Sequence, residues 1–525
     1  MRVKEKNKIE EILKDAEKEM LEFENLSKEL NLEELKDILG LTIKYDDSNK
    51  TITFLCMLSA YSNSNQFNVS FRAPSSTGKS YIPIELAELF DPEDVIMIAY
   101  ASPTSFFHET GYWDEEKKAI VVNFERKILI FLDQPHDLLL QRLRPFLSHD
   151  RKELLLKVTD RREKHGLRTK SVILKGFASV IFCTGSLRID EQEATRNFLL
   201  SPETSQEKIR EAILLKAFKK GNKGAYLEWL ENDPRRRALK ERIRIIKEAN
   251  INDIIIPEPE KIAQRFIEMQ GGKLKPRHQR DIERLMCLIG AWALLNFWNR
   301  KKDEQNNIYA NEKDIEVGFK IWQEVAICQE LGLPPYVYRV FEEVIKPVFL
   351  EINKNRKEED YTGISRKDVL RKYYEVYNKF LEDWRLRQEI LPSLETAGLI
   401  YQEQNPSNRR EKLIFINLPH TLSHYIDNPP HSHSLYSSLE MKNNIVSETV
   451  GGNKSETQDL NSLTNEEKYF LKKVNETHDI EEAKLFLTEV LKINKKKADR
   501  IAEDLINRGM IFETKPNFFV TNVEF

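Results

Sequence analysis

The sequence is short of several things at once. Only four cysteines occur in 525 residues. Cys56, Cys183, Cys287 and Cys328 are too scattered for a disulfide framework or a thiolate metal site, and three sit inside apolar segments, so buried free thiols in a reducing compartment are expected. No apolar run is long enough to span a membrane. The opening Met1-Arg2-Val3-Lys4-Glu5-Lys6 is charged with no apolar stretch behind it, so neither membrane insertion nor export is expected and the reading is cytoplasmic. Neither sign of charge dominates: 82 Lys and Arg against 85 Asp and Glu give a formal net charge of −3. Any nucleic-acid partner must therefore meet a local basic patch. With 40% hydrophobic and 32% charged residues, a chain of this length divides into two to four globular domains.

Against that background one stretch organises the chain. Phe67-Asn68-Val69-Ser70-Phe71-Arg72 alternates apolar and polar side chains and reads as a strand. Ala73-Pro74-Ser75-Ser76-Thr77-Gly78-Lys79-Ser80 then fits the phosphate-binding pattern G-x-x-x-x-G-K-[ST], except that Ala73 replaces the first glycine. The run from Tyr81 to Phe90 reads as a helix. In such a loop the backbone N–H groups and the helix start face anionic phosphates, Lys79 adds a mobile positive charge, and the Ser80 hydroxyl can ligate Mg²⁺. Residues 73–81 are thus the expected ATP site.

Further strands follow. Val95-Ile96-Met97-Ile98-Ala99, Ala119 to Phe124 and Lys127 to Asp133 all read as extended. The last is continuously apolar and ends in a carboxylate, as a central parallel strand does. Asp133 is therefore expected at the carboxyl edge of the sheet as the Walker B carboxylate that helps hold Mg²⁺, with Gln134 next to it. Ser179 to Cys183 is another apolar strand, and Thr184, or failing that Ser186, is the candidate for sensing the γ-phosphate or positioning water. Between these strands Thr159 to Lys170 is centred on Gly166 and carries Arg161, Arg162, Lys164, Arg168 and Lys170. It reads either as a hairpin with a basic tip or as a solvated charged loop. Asp190 to Arg196 reads as a short acidic helix ending in Arg. Residues 203–250, Arg280 to Ala293 and Glu312 to Gln329 read as the helices of a lid. Residues 1–45, with Ile9, Ile12, Leu13, Met20, Leu21 and Phe23 at helical spacing, form an amphipathic lead-in.

In their order these segments resemble the core of an AAA+ ATPase, and most closely minichromosome-maintenance (MCM) type helicase cores. The resemblance covers residues 67 to about 330 and is most particular at Arg280-x-x-Glu283-x-Leu285 and Glu312-Lys313-Asp314-Ile315. It implies a three-layer α/β P-loop core with a helical lid, ATP and Mg²⁺ as cofactors, and a ring-forming homo-oligomer. By the same resemblance Arg196 is an arginine finger reaching a neighbouring subunit's nucleotide, Arg280 contacts the γ-phosphate, and the basic hairpin projects into a channel that tracks DNA. Three departures stand out: Ala73 for glycine, Gln134 where the general-base glutamate is expected, and Gly185 where the sensor asparagine often lies. An amide takes no proton from water, though it orients one in some GTPases. The shortness of the chain before residue 67 makes it more like a mobile-element relative than a cellular MCM protein.

The last third reads as two smaller modules. From Ser365 two helices, then a third from Arg385 to Ala397 stopped by Gly398, then strands at Leu399 to Glu403 and Lys412 to Asn417, give the order of a winged helix. Arg385 and Arg387 lie on its third helix and Arg409 and Arg410 on its wing, where they would meet DNA; the alternative is a protein-binding module. Residues 421–463 read as a flexible linker, whose His424, His431 and His433, like His420 just before it, are solvated rather than metal ligands. Residues 464–525 read as a second winged-helix-like module. The division expected is then 1–45, 46–205, 206–335, 336–420, 421–463 and 464–525. Three functions remain open: a DNA-dependent ATPase or helicase in plasmid or mobile-element replication, acting with other replication proteins; an ATP-controlled DNA-binding switch with little turnover; and a partner-binding ATPase.

Overall fold

In the computed structural model the described residues are 28–417, apart from 103–110, 150, 161–167, 189–190, 272 and 357–360, together with 470, 480, 484, 488, 499, 502, 511–515 and 518–521. Among the described residues nine strands precede the helical region: β1 (Asn68–Arg72), β2 (Val95–Ile98), β3 (Tyr112–Asp114), β4 (Ala119–Asn123), β5 (Ile128–Phe131), β6 (Glu153–Asp160), β7 (Arg168–Lys175), β8 (Ser179–Thr184) and β9 (Asn197–Leu200). Five form one sheet in the order β2-β5-β8-β1-β9, every neighbouring pair parallel. β8 is thus inserted between β1, which leads to residues 73–80, and β5, which leads to Asp133.

Period-two alternation divides the side chains of this sheet between two cores. Ile128 and Ile130 of β5 and Ile181 and Cys183 of β8 face a layer containing the Asp47–Ser59 and His278–Leu295 helices. Leu129, Phe131, Val180 and Phe182 face the opposite way, toward the Asp137–Leu147 helix and the second sheet. The result is three layers, and each apolar side chain taken from water contributes about 1.5–3 kcal/mol. The alternation of β1 marks a strand, yet its polar face is buried too, because helices cover both sides. Asn68 finds a partner in the Leu147 carbonyl (2.8 Å).

The strand expected at Ala119 to Phe124 is present as β4, but in a second, four-stranded sheet, β3-β4-β7-β6. There β6 and β7 form the antiparallel arms of the expected hairpin, in register from Glu153–Lys175 to Asp160–Arg168. The turn holding Arg161, Arg162 and Lys164 lies outside the described residues. After Tyr81–Ala87 the helix stops short of Phe90, and the acidic helix covers only Glu191–Ala194, leaving Arg196 in the turn beyond it.

Helices Gln206–Gly221, Lys223–Asn232, Pro234–Ala249, Pro259–Met269, His278–Leu295 and Glu312–Leu331 follow. Between them β10 (Ile254–Ile255), β11 (Lys301–Lys302) and β12 (Ile308–Tyr309) make a small sheet. A bidentate pair, Arg300 Nε to Asp314 Oδ2 (2.7 Å) and Nη2 to Oδ1 (2.6 Å), is buried at the start of the last helix. Gln329 closes the β9 edge by accepting from Leu199 N (3.0 Å) and donating to Leu199 O (2.9 Å), which removes an exposed pairing edge.

A three-helix unit completes this part of the chain. Its first helix is Pro335–Val340 continued through a π turn, Phe341–Ile345, into Lys346–Asn353. Its second is Arg366–Tyr377 and its third runs from Asp383–Arg385 through Leu386–Ile390 to Leu391–Thr396. β13 (Ile400–Asn405) and β14 (Asn408–Ile416) form an antiparallel hairpin, and Ile364 bridges Ile414. Two helices were expected between Ser365 and Arg385; there is one, and the first of the three lies upstream of Ser365. Gly398, at φ 73°, ends the third helix as expected. The chain divides into two compact units, Met1–Met441 and Lys442–Phe525. In the second, β15 (Ile511–Lys515) pairs antiparallel with β16 (Phe518–Thr521). The segment 421–463 and its histidines, His420 and residues 1–27 lie outside the described residues.

Candidate nucleotide site

Three adjacent parallel strands, β5, β8 and β1, deliver the polar groups to one edge. β1 ends at Arg72, and Ala73, at 0% exposure, turns into the loop with its N–H toward Thr184 O (3.5 Å). The methyl of Ala73 sits in the apolar core of the three-helix unit, with Leu187, Tyr336 and Val337. That contact is a physical reason for alanine where the pattern has glycine. Gly78, by contrast, needs its freedom, because φ is 95° there and any side chain is strained.

Pro74 O organises the loop, accepting from Thr77 Oγ1 (2.9 Å) and from Lys79 Nζ (2.9 Å). Burial pulls the Lys79 amine below the ordinary lysine value; Arg385 and Lys379 act in the same direction, and Cys183 and Asp133 oppose them. Four groups from three segments therefore share the field at this amine. Cys183 itself is buried and its thiol is pushed up to about 12, which makes it inert.

Asp133 follows β5 and is exposed, with Oδ1 accepting from Gln134 N (2.8 Å). Thr184, buried at the end of β8, donates its hydroxyl to Gln134 Oε1 (2.6 Å) and accepts from Ser186 N (3.2 Å). Gln134 and Thr184, named separately from sequence, are thus direct partners. Arg72 fixes the loop that follows them, donating from Nη1 to Ser186 O (3.4 Å) and Arg188 O (2.6 Å), with Glu193 3.4 Å from Nη2. For a divalent cation the donors are the Ser80 hydroxyl and the Asp133 carboxylate. Among the described residues no group of three His, Cys, Asp or Glu gathers. Two such oxygens would suit a Mg²⁺ held largely by phosphates and water.

Beside the loop lies a cavity of about 310 Å³ walled by Pro74 to Gly78, Tyr81 and Ile82 on one side. Ile43, Ile209 and Ile213 form its apolar flank, and Tyr336, Tyr373, Tyr377 and Lys379 close it from the three-helix unit. Its volume is at the small end of ligand pockets. Glu203 lines it as well, and burial followed by the Asp46 charge raises its carboxyl to about 7.

Arg196 and Arg280 are engaged elsewhere. Arg280 Nη1 donates to Thr195 Oγ1 (2.5 Å), and Arg196 donates to Ser148 Oγ (2.9 Å) and Gln192 O (2.8 Å). Like Lys79, Ser80, Asp133, Gln134, Thr184 and Arg385, neither is among the residues lining the cavity. Of the residues expected on DNA, Arg387, Arg409 and Arg410 are exposed and Lys170 is half-buried. Arg168 opens β7, and its side chain, like Arg161, Arg162 and Lys164, is outside what is described. Arg385 is different: it is half-buried, ion-paired with Glu389 (3.4 Å) and Glu382 (3.8 Å), and lies within the field of Lys79. Sequence reasoning missed the cavity tyrosines. Their one local signal was the i, i+4 spacing of Tyr373 and Tyr377, which marks a shared helix face and no more.

A comparison of the chain with protein-family models finds no match, and neither does a comparison with curated proteins.

Proposed function

We propose that the chain is an ATP-dependent P-loop ATPase of the AAA+ type, similar to MCM helicase cores, that works as an oligomer on DNA. The observation that carries this reading is the convergence, at the carboxyl ends of β1, β5 and β8, of Lys79, Asp133 with Gln134, and Thr184. Parallel α/β sheets bind ligands at that edge. Lys79 and the loop N–H groups hold the phosphates. Ser80 and Asp133 hold Mg²⁺, which supplies charge neutralisation at the transferring phosphoryl group when bound. Thr184 orients Gln134, and Gln134 orients water.

Arg196 and Arg280, joined through Thr195 and apart from the cavity, are suited to a neighbouring subunit's nucleotide, where an added positive charge stabilises phosphoryl transfer. The β6–β7 hairpin supports a DNA-contacting arm. The three helices, the Ile364–Ile414 bridge and the β13–β14 hairpin support a winged helix with Arg409 and Arg410 on its wing.

The test is ATP hydrolysis by the full chain with and without single-stranded DNA, using Lys79→Ala as the blank. Turnover that rises several-fold with DNA and disappears in Lys79→Ala is the expected result. ATP binding without turnover would replace the motor with the second reading, an ATP-controlled DNA-binding switch. The Gln134–Thr184 bond favours that alternative to the extent that an amide stands where a base would act.

A further inference from the structure

The three-helix unit stands in an unexpected place for a DNA-reading module. It covers the carboxyl edge of the parallel sheet, touching the segments that follow three of its strands. After β1, Ala73 is part of its core. After β8, Leu187 joins the same core and donates its N–H to Glu389 Oε1 (3.4 Å). After β9, Ser201 Oγ accepts from Tyr336 N (3.0 Å) and Pro202 O from Arg339 Nη2 (2.6 Å).

Its second helix supplies a wall of the cavity beside the phosphate loop. The phenols there are already engaged. Tyr336 and Tyr373 share a hydrogen bond of 2.7 Å, and the Tyr377 hydroxyl donates to Glu343 Oε2 (2.6 Å). The rings of Tyr373 and Tyr377, 4.7 Å apart, are thus left to offer apolar surface to a flat ligand. The helix ends at Asn378, in the left-handed conformation at φ 48°, and the turn brings Lys379 to the cavity lining. One turn into the third helix, Arg385 Nε and Glu389 Oε2 are buried 3.4 Å apart, and neither atom has a hydrogen-bond partner among the described residues.

We propose that the 335–416 unit is part of the nucleotide site in cis: Tyr373 and Tyr377 wall the base, Lys379 faces the phosphates, and a bound nucleoside triphosphate clamps the unit to the sheet. This inference rests on the reading of residues 73–80 as a phosphate loop. It makes ATP occupancy control how firmly the unit is held. Lys79 and Lys379 are complementary to a triphosphate, and the aromatic and Ile-rich walls to a base. Of the basic residues of the unit that were expected on DNA, Arg387, Arg409 and Arg410 are exposed.

Amide hydrogen exchange of the full chain, with and without saturating ATP, tests this. ATP is expected to slow exchange in two segments, residues 74–82 and residues 366–379, and in neither for Lys79→Ala. Lys379→Ala is expected to weaken ATP binding about tenfold, as loss of a charge-assisted contact does, with Lys379→Arg restoring most of it and the ligand-free Tm unchanged in both. Protection confined to residues 74–82, together with wild-type affinity in Lys379→Ala, overturns the proposal and leaves the phosphate loop standing. Protection in neither segment, with no ATP binding, overturns both.

Discussion

Replacing Gln134 by glutamate tests the proposed ATPase site most directly. Thr184 donates to Gln134 Oε1 at 2.6 Å. A glutamate at this position keeps that acceptor, and the hydrogen bond strengthens when the acceptor is charged. The side chain therefore stays where it is held, and the carboxamide NH₂ becomes a second oxygen able to take a proton from water. A positioned general base is worth about 10²–10⁴-fold. Gln134→Glu is therefore expected to raise kcat at least about tenfold, or about 1.4 kcal/mol of barrier. The assay is steady-state phosphate release at saturating ATP by the full chain, with the Lys79→Ala/Gln134→Glu double variant as the blank. Adding Thr184→Val should cancel most of the gain, because the carboxylate is no longer held. Unchanged or lower turnover, with ATP affinity and Tm preserved, would refute this assignment of the Gln134 position.

Three other substitutions probe how the site is held. Ala73→Gly removes a buried methyl and adds backbone freedom, so stability should fall by about 1–2 kcal/mol by thermal or urea unfolding. Tighter ATP binding in that variant would show that alanine is a handicap to the loop rather than a packing residue. Asp314→Asn leaves Arg300 buried with a weakened partner. Glu29, 2.8 Å from Arg300, keeps part of the charge balance, so the loss expected is near the low end of about 3–5 kcal/mol; a loss below about 1 kcal/mol would contradict the ledger for this pair. Glu203 is raised from an ordinary 4.5 to about 7. The folded chain therefore binds its proton more tightly than the unfolded chain does, and this contribution to stability is complete below pH 4.5 and lost as pH rises through 7. Glu203→Gln should gain stability relative to wild type as pH goes from 5 to 8, and a difference independent of pH would exclude Glu203 as the source.

What was legible in the sequence was local. The loop at 73–80 follows the alternating strand β1, Asp133 follows the apolar β5 and Thr184 ends the apolar β8, and each strand lies where its pattern put it. The order of the strands was not legible, since nothing in Ser179 to Thr184 states that it enters between β1 and β5. The helices of the three-helix unit were misplaced for a different reason. Two of its helices contain a π turn, at Phe341–Ile345 and Leu386–Ile390. The extra residue in each shifts the apolar stripe out of the 3.6-residue phase that pattern reading relies on. Its docking on the sheet depends on contacts such as Leu187 with Glu389, 202 residues apart in the chain, which no local pattern encodes.

Arg72 shows why that docking bears on the site. Alternation on β1 marks it as a polar position on a half-solvated strand, yet it is buried, and burial pulls its guanidinium down to about 10 against the opposing charges of Glu193 and Glu389. A cation kept in such a place is costly unless it is fully engaged. Its guanidinium holds the Ser186 and Arg188 carbonyls, which fix the loop after Thr184. Its own carbonyl accepts from Ser201 Oγ (2.6 Å), and that oxygen accepts from Tyr336 N. One residue immediately before the phosphate loop thereby joins the hydroxyl that orients Gln134 to the first helix of the docked unit. Through these bonds, a shift of the β8 loop or of the Tyr336 helix must either move Arg72 or leave its buried charge without partners. The cost of the second course makes the loop, the Gln134–Thr184 pair and the three-helix unit move together.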